Sequence, residues 1–157
     1  MKEIQLTQGY KAQVSDKDYA RVVAAGAWHA AVFYRKDGTI KVVYAVSSAN
    51  KSMHRLVKSV NDPKVFVDHR NRNGLHNQRR NLRKATRMQN FHNASLSVKN
   101  RSGFKGVSLV KGTRKKPWRV DIAYNGKQHF LGYFAGAKEA SKVHDRAAKR
   151  HHKTFAT

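Results

Sequence analysis

Between Val67 and Leu82 the chain carries one large apolar side chain, Leu75, among fourteen residues otherwise made of Asp, His, Arg, Asn, Gln and Gly. Such a stretch cannot supply a core, so it must run as a polar loop fastened at its two ends. Before it, Lys64-Val65-Phe66-Val67 reads as a strand that delivers Asp68 and His69 at its end. After it, from Asn81, the spacing of Leu82, Ala85 and Met88 predicts a helix carrying Gln89, Asn90 and Asn93 along one side. A strand, a loop and a helix in this order can bring residues far apart in sequence to one point. Those residues form a coherent chemical set. Asp68 and the amide oxygens of Asn can ligate a hard divalent cation, a neutral His69 can take a proton from water near pH 7, and the Arg residues attract phosphate. This combination suits hydrolysis of a phosphodiester.

Charge supports that direction. The 157 residues hold 33 Lys plus Arg against 9 Asp plus Glu, a formal +24, so the folded chain repels itself and calls for a polyanion. Nucleic acid is the first expectation. A membrane surface is the weaker alternative, because no apolar run approaches the ~20 residues of a spanning helix. The opening Met1-Lys2-Glu3-Ile4-Gln5 lacks the apolar segment of a signal peptide, and a soluble, cytoplasmic, non-secreted protein is expected. Without Cys there is no disulfide, zinc ribbon or thiolate nucleophile.

The remaining elements are short. Ile4-Gln5-Leu6 alternates as a strand, and Asp18 to Ala25 is a short helix with Ser15 or Asp16 as N-cap and Gly26 as its stop. Ala30–Tyr34 and Lys41–Val46 are strands joined by a turn at Asp37-Gly38, with Trp28 anchoring the core of this part. Ser52 to Val60 predicts a helix with Met53, Leu56, Val57 and Val60 on one stripe. His54-Arg55, near its start, reads either as a surface pair or as a phosphate contact. Ser95 to Ser102 loses apolar periodicity and reads as a linker. Phe104–Val110, Trp118–Tyr124 and Gln128–Phe134 follow as three strands, the first pair joined by Gly112–Pro117 and the second by Asn125-Gly126. A helix over Ala137–His151 closes the pattern, with Ala140, Val143, Ala147 and Ala148 as a face able to approach a sheet. Alternation turns Trp118, Val120 and Ile122 toward that helix and Arg119, Asp121 and Ala123 outward.

The ordered residues Met53-His54-Arg55-Leu56-Val57, Val67-Asp68-His69, Asn81-Leu82-Arg83 and Asn90 to Asn93 resemble the HNH homing-endonuclease family of phages and bacteria. The opening Ile4-Gln5-Leu6-Thr7, followed by Val14, Asp16, Asp18-Tyr19 and Trp28, is similar to that family's usual start. The resemblance implies a ββα-metal unit, with its core at about 51–94, that hydrolyses DNA. His69 would be the general base, Asp68 and Asn90 would hold one divalent cation, Mg²⁺ or else Mn²⁺, and Asn81 would brace the loop and orient His69. His92 or Asn93 could replace Asn90 as ligand. His76 stands where the family more often has Asn, and Asn71 where it often has an acidic residue.

The last third of the chain resembles the Apetala-type, or ethylene-response-factor, DNA-binding domain. The match is carried by Gly103-Phe104-Lys105-Gly106-Val107, Trp118 to Ile122, Phe130-Leu131-Gly132-Tyr133-Phe134, Ala140 and Asp145-Arg146-Ala147-Ala148. The resemblance implies a three-stranded antiparallel sheet packed on one helix and laid in the major groove. Lys105, Ser108, Arg119, Gln128 and Phe130 are the expected DNA contacts. Ser108, Val110, Ala123 and Gln128 fill places where the plant pattern carries several Arg.

The expectation is therefore an α+β protein of two small units, 1–94 and 103–157, joined by 95–102. It would be a monomeric, metal-dependent DNA endonuclease, nicking duplex DNA to which its C-terminal sheet tethers it. The alternative is a non-catalytic DNA-binding regulator that keeps a decayed nuclease fold. A third class, an RNA-binding or ribosome-associated protein, fits the charge but not the His and Asn spacing.

Overall fold

The computed structural model describes residues 1–97, 99–112 and 115–156, so that one residue of the expected linker and two of the Gly112–Pro117 turn lie outside the described residues. The architecture is mixed α and β with small sheets, and contacts divide the chain into two compact units, Met1–Asn90 and Phe91–Thr157. Among the described residues, no helix is long and apolar enough to cross a membrane.

In the first unit, strands β1 (Lys2–Gln5) and β2 (Lys11–Val14) form an antiparallel hairpin, Ile4 against Ala12. Helix α1 (Asp16–Ala24) follows, with Asp16 and Asp18 in its first turn, where negative charge suits the helix dipole, and Gly26 at positive φ just beyond its end. Strands β3 (Trp28–Tyr34) and β4 (Ile40–Ser47) pair antiparallel around the Asp37-Gly38 turn. Helix α2 (Met53–Lys58) is shorter than the sequence suggests, because Ser59 turns left-handed and ends it. Strand β5 (Phe66–His69), the two-residue strand β6 (His76–Asn77), strand β7 (Leu82–Ala85) and helix α3 (Arg87–Asn93) complete the region. Alternating residues of the first strands meet the stripe of α2 in one core: Ile4, Leu6, Ala12, Val14, Val22, Trp28, Ala30, Val43, Ala45, Met53, Val57 and Leu82. The Trp28 indole donates to the Val22 carbonyl at 2.9 Å, so its one polar atom is satisfied in the interior.

One expectation is corrected here. Leu82 to Ala85 is a strand, and the helix starts only at Arg87. The i, i+3 spacing of Leu82, Ala85 and Met88 mimics a helical stripe, yet Met88 is exposed while Leu82 and Ala85 are buried. Pairing decides the matter: β7 lies antiparallel to β5, with His69 opposite Leu82 and Asp68 opposite Arg83, which gives two buried charges each other as partner. Strand β5 begins at Phe66, later than the expected Lys64, and carries Asp68 and His69 as its last two residues, both paired with β7.

In the second unit, β8 (Val107–Leu109), β9 (Trp118–Tyr124) and β10 (Lys127–Phe134) form an antiparallel sheet with β9 in the middle. Asn125 and Gly126 both have positive φ, the backbone that a two-residue hairpin turn requires. Helix α4 (Ala137–His152) covers the face that carries Val120 and Ile122. Its buried side is Ala140, Ser141, His144 and Ala148, with the expected Val143 and Ala147 half-buried beside them.

Candidate functional site

Strand β5 presents Asp68 and His69, both about 5 % exposed, inside the first unit. The Asp68 carboxylate accepts from Arg83 Nε at 2.7 Å, an ion pair buried on both sides. The neighbouring His69 ring meets Asn77 from the two-residue strand β6, its Nε2 lying 3.3 Å from Asn77 Oδ1. Asn77 is fully buried, and its amide nitrogen donates to the carbonyls of Gly74 and Leu75 at 3.3 and 3.2 Å. With the nitrogen committed there, Oδ1 must face His69, so the imidazole carries its proton on Nε2 and its lone pair on Nδ1. Burial lowers the His69 pKa below that of an ordinary His, offset in part by the Asn77 hydrogen bond and the Asp68 charge. A neutral imidazole with a fixed tautomer is a proton acceptor.

Two rings enclose it. The His54 ring of α2 stands edge-on to His69 with centroids 5.1 Å apart, and Tyr44 of β4 lies 5.8 Å from His69 and 5.6 Å from His54. His54 Nδ1 is buried with no hydrogen-bond partner, and burial holds this imidazole at a pKa of about 3. His54 is half-buried and packs against His69. Arg55 turns away and donates to the carbonyls of Val65 and Asp62.

Asn81 braces the loop. Its Nδ2 donates to Asn71 Oδ1 at 2.9 Å and to the His76 carbonyl at 2.8 Å, while its Oδ1 accepts the Asn71 backbone N–H. Orientation of His69 falls to Asn77, which sequence reasoning missed among several Asn of one loop. Asn90 is half-buried in the middle of α3, its backbone N–H donating to the Thr86 carbonyl, and only Thr86 separates that helix from β7. Among the described residues no three His, Asp or Glu side chains gather as a metal site. Asp68 and Asn90 are both oxygen donors, the kind a hard divalent cation takes. Two such donors are too few to hold an ion alone, and the Asp68 carboxylate is already engaged by the Arg83 guanidinium.

In the second unit, Arg119 stands opposite Ser108 on β8 and Tyr133 on β10, and Asp121 stands opposite Phe130. Arg119 grips Asp121 through two bonds of 2.7 and 2.8 Å and lies 5.2 Å over the Phe130 ring, which is 52 % exposed. Gln128 is opposite Ala123 and exposed. Lys105 is placed differently, its ammonium donating to the His92 carbonyl at 3.0 Å. Searches of the chain against protein-family models, curated proteins and solved structures find no match.

Proposed function

We propose that the first unit is a ββα-metal endonuclease unit of the HNH type that hydrolyses phosphodiester bonds of DNA. The observation that carries this reading is the buried His69 ring, held against Asn77 beside a buried carboxylate in a chain of charge +24. In the proposed reaction His69 Nδ1 takes a proton from the attacking water, a step worth about 3–5 kcal/mol of barrier. Asn77 holds the ring so that the lone pair, and not the N–H, meets that water. Asp68 and Asn90 would hold a divalent cation, Mg²⁺ or Mn²⁺, which when bound stabilises charge on the phosphate and leaving oxygen. Asn81 keeps the loop closed behind the base. The second unit supplies affinity for duplex DNA through its sheet, raising the local concentration of substrate at a small site.

Incubation of purified protein with supercoiled plasmid and Mg²⁺ or Mn²⁺ tests this, with nicked circles as the expected first product. His69→Ala should abolish nicking and leave binding close to wild type, because binding rests on the basic surface. Equal loss of both would remove His69 from the base role. The ion pair between Asp68 and Arg83 favours a second reading, a DNA-binding regulator in which that carboxylate is purely structural. Binding without metal-dependent nicking would decide for it.

A further inference from the structure

The same loop builds a pocket of about 320 Å³, lined by Arg70, Asn71, His76, Gln78, Arg80 and Asn81 together with Met1 and Gln13. Two guanidinium groups, one imidazole and four side-chain amides face this space, with no carboxylate among them. Hydrogen bonding settles which atoms can donate. Asn71 Oδ1 accepts from the Asn73 backbone N–H at 3.0 Å and from Asn81 Nδ2 at 2.9 Å, so the Asn71 nitrogen is the atom 2.6 Å from His76 Nδ1. His76 Nδ1 therefore accepts, and the ring carries its proton on Nε2. Arg80 gives its Nε to Gln78 Oε1 at 3.1 Å, which leaves the two terminal nitrogens of the fork and the Gln78 amide nitrogen as further donors.

We propose that this pocket binds a phosphate, namely a backbone phosphate of the bound DNA. The proposal rests on the reading of DNA as substrate and adds a subsite to it. The lining itself carries no carboxylate, and the neighbouring Asp16 is paired with the Met1 ammonium at 2.8 Å, so the remaining donors suit a tetrahedral oxyanion more than a cation. The strand geometry ties the two places together: His69 and Asn77 are buried and meet, while their chain neighbours Arg70 and His76 line the pocket. A phosphate seated on Arg70 and His76 thus fixes both edges of the loop that holds the His69 ring.

The test uses the full chain and the variants Arg70→Ala, Arg80→Ala and His76→Gln, with Lys36→Ala in the exposed β3–β4 turn as the charge-matched control. Affinity for a 20-base-pair duplex is read by anisotropy over a salt series. The expected result is a salt slope lower by about one for each Arg variant and unchanged for the control, since one phosphate contact contributes about one to that slope. In parallel, inorganic phosphate is titrated into the wild type and the Arg70→Ala, Arg80→Ala double variant while His76 ring resonances are followed. A saturable shift in the wild type that is absent from the double variant is expected. Slopes unchanged in both Arg variants, or lowered equally by Lys36→Ala, overturn the strand contact, and a free-anion site remains if phosphate still saturates. If the wild type fails to bind duplex, the DNA reading falls, and the phosphate titration alone decides the pocket. No saturable shift together with unchanged slopes rejects the pocket outright.

Discussion

Acid should weaken the first unit through His54. Its imidazole is held at a pKa of about 3 against an ordinary 6.5, because the ring is buried beside His69 and Arg55. Above pH 6.5 the folded and unfolded chains both keep it neutral, so it has no effect on stability there. Below that value the unfolded chain takes up a proton that the folded chain refuses, and each pH unit removes about 1.4 kcal/mol until about pH 3. Between pH 7.5 and pH 5 the loss from this one group is about 2 kcal/mol. A Trp118→Phe background leaves Trp28 as the sole indole reporter, and Trp28 belongs to the first unit. Urea unfolding followed by its emission at both pH values should show the fall. His54→Phe, which fills the same space and removes the partnerless Nδ1, should shrink that fall by about 2 kcal/mol while keeping the pH 7.5 fold. If wild type and variant lose the same stability on acidification, burial of His54 is not what the structure says it is.

Gly74→Ala should cost about 1–3 kcal/mol in the same urea assay and displace the loop, because an added Cβ would overlap the Val43 carbonyl and stand 2.6 Å from Tyr44 Cδ1. A shifted His69 ring resonance would mark the displacement, and an unperturbed spectrum would refute it. Gly106→Ala should destabilise the second unit alone, since Gly106 has φ +64 and its Cβ would collide with the His144 ring and the Asp121 carbonyl. Trp118 emission should then report earlier unfolding while Trp28 emission does not. Asp121→Asn should release Arg119 from its fork and raise duplex affinity, with a salt slope steeper by about one in the anisotropy series.

Much of the chain was legible because its punctuation is strong. Asp37-Gly38 and Asn125-Gly126 announce their hairpins, and alternation in Trp118–Tyr124 places Val120 and Ile122 on the helix side, where they are buried. The polar run from Arg70 to Asn81 is equally readable from its lack of apolar residues, although His76 and Asn77 pair with β2 inside it. Leu82 to Ala85 misleads because three apolar residues at i, i+3 are too short a sample to separate helix from strand. A usable signal was nevertheless present: an antiparallel pairing that sets His69 against Leu82 also sets Asp68 against Arg83, opposite charges in register. The partner of His69 was harder to foresee. The loop holds Asn71, Asn73, Asn77 and Asn81, chemically identical, and only the fold buries Asn77 beside the ring while Asn71 and Asn81 bond to each other.

The short strand β6 runs parallel to β2, with Gln13 opposite His76 and Val14 opposite Asn77, and the Leu75 carbonyl accepts the Gln13 N–H. Ser15 Oγ accepts the Arg79 N–H, and the Arg79 guanidinium bonds both oxygens of Asp18 on α1. The polar loop is thus stitched to residues some sixty positions earlier in the chain. A fragment begun at Ser52 would keep Asp68, His69, Asn81 and Asn90 and lose the floor that shapes their loop. The opening hairpin and first helix are consequently as much a part of the proposed catalytic centre as the residues that would touch substrate, and that centre cannot be excised as a cassette.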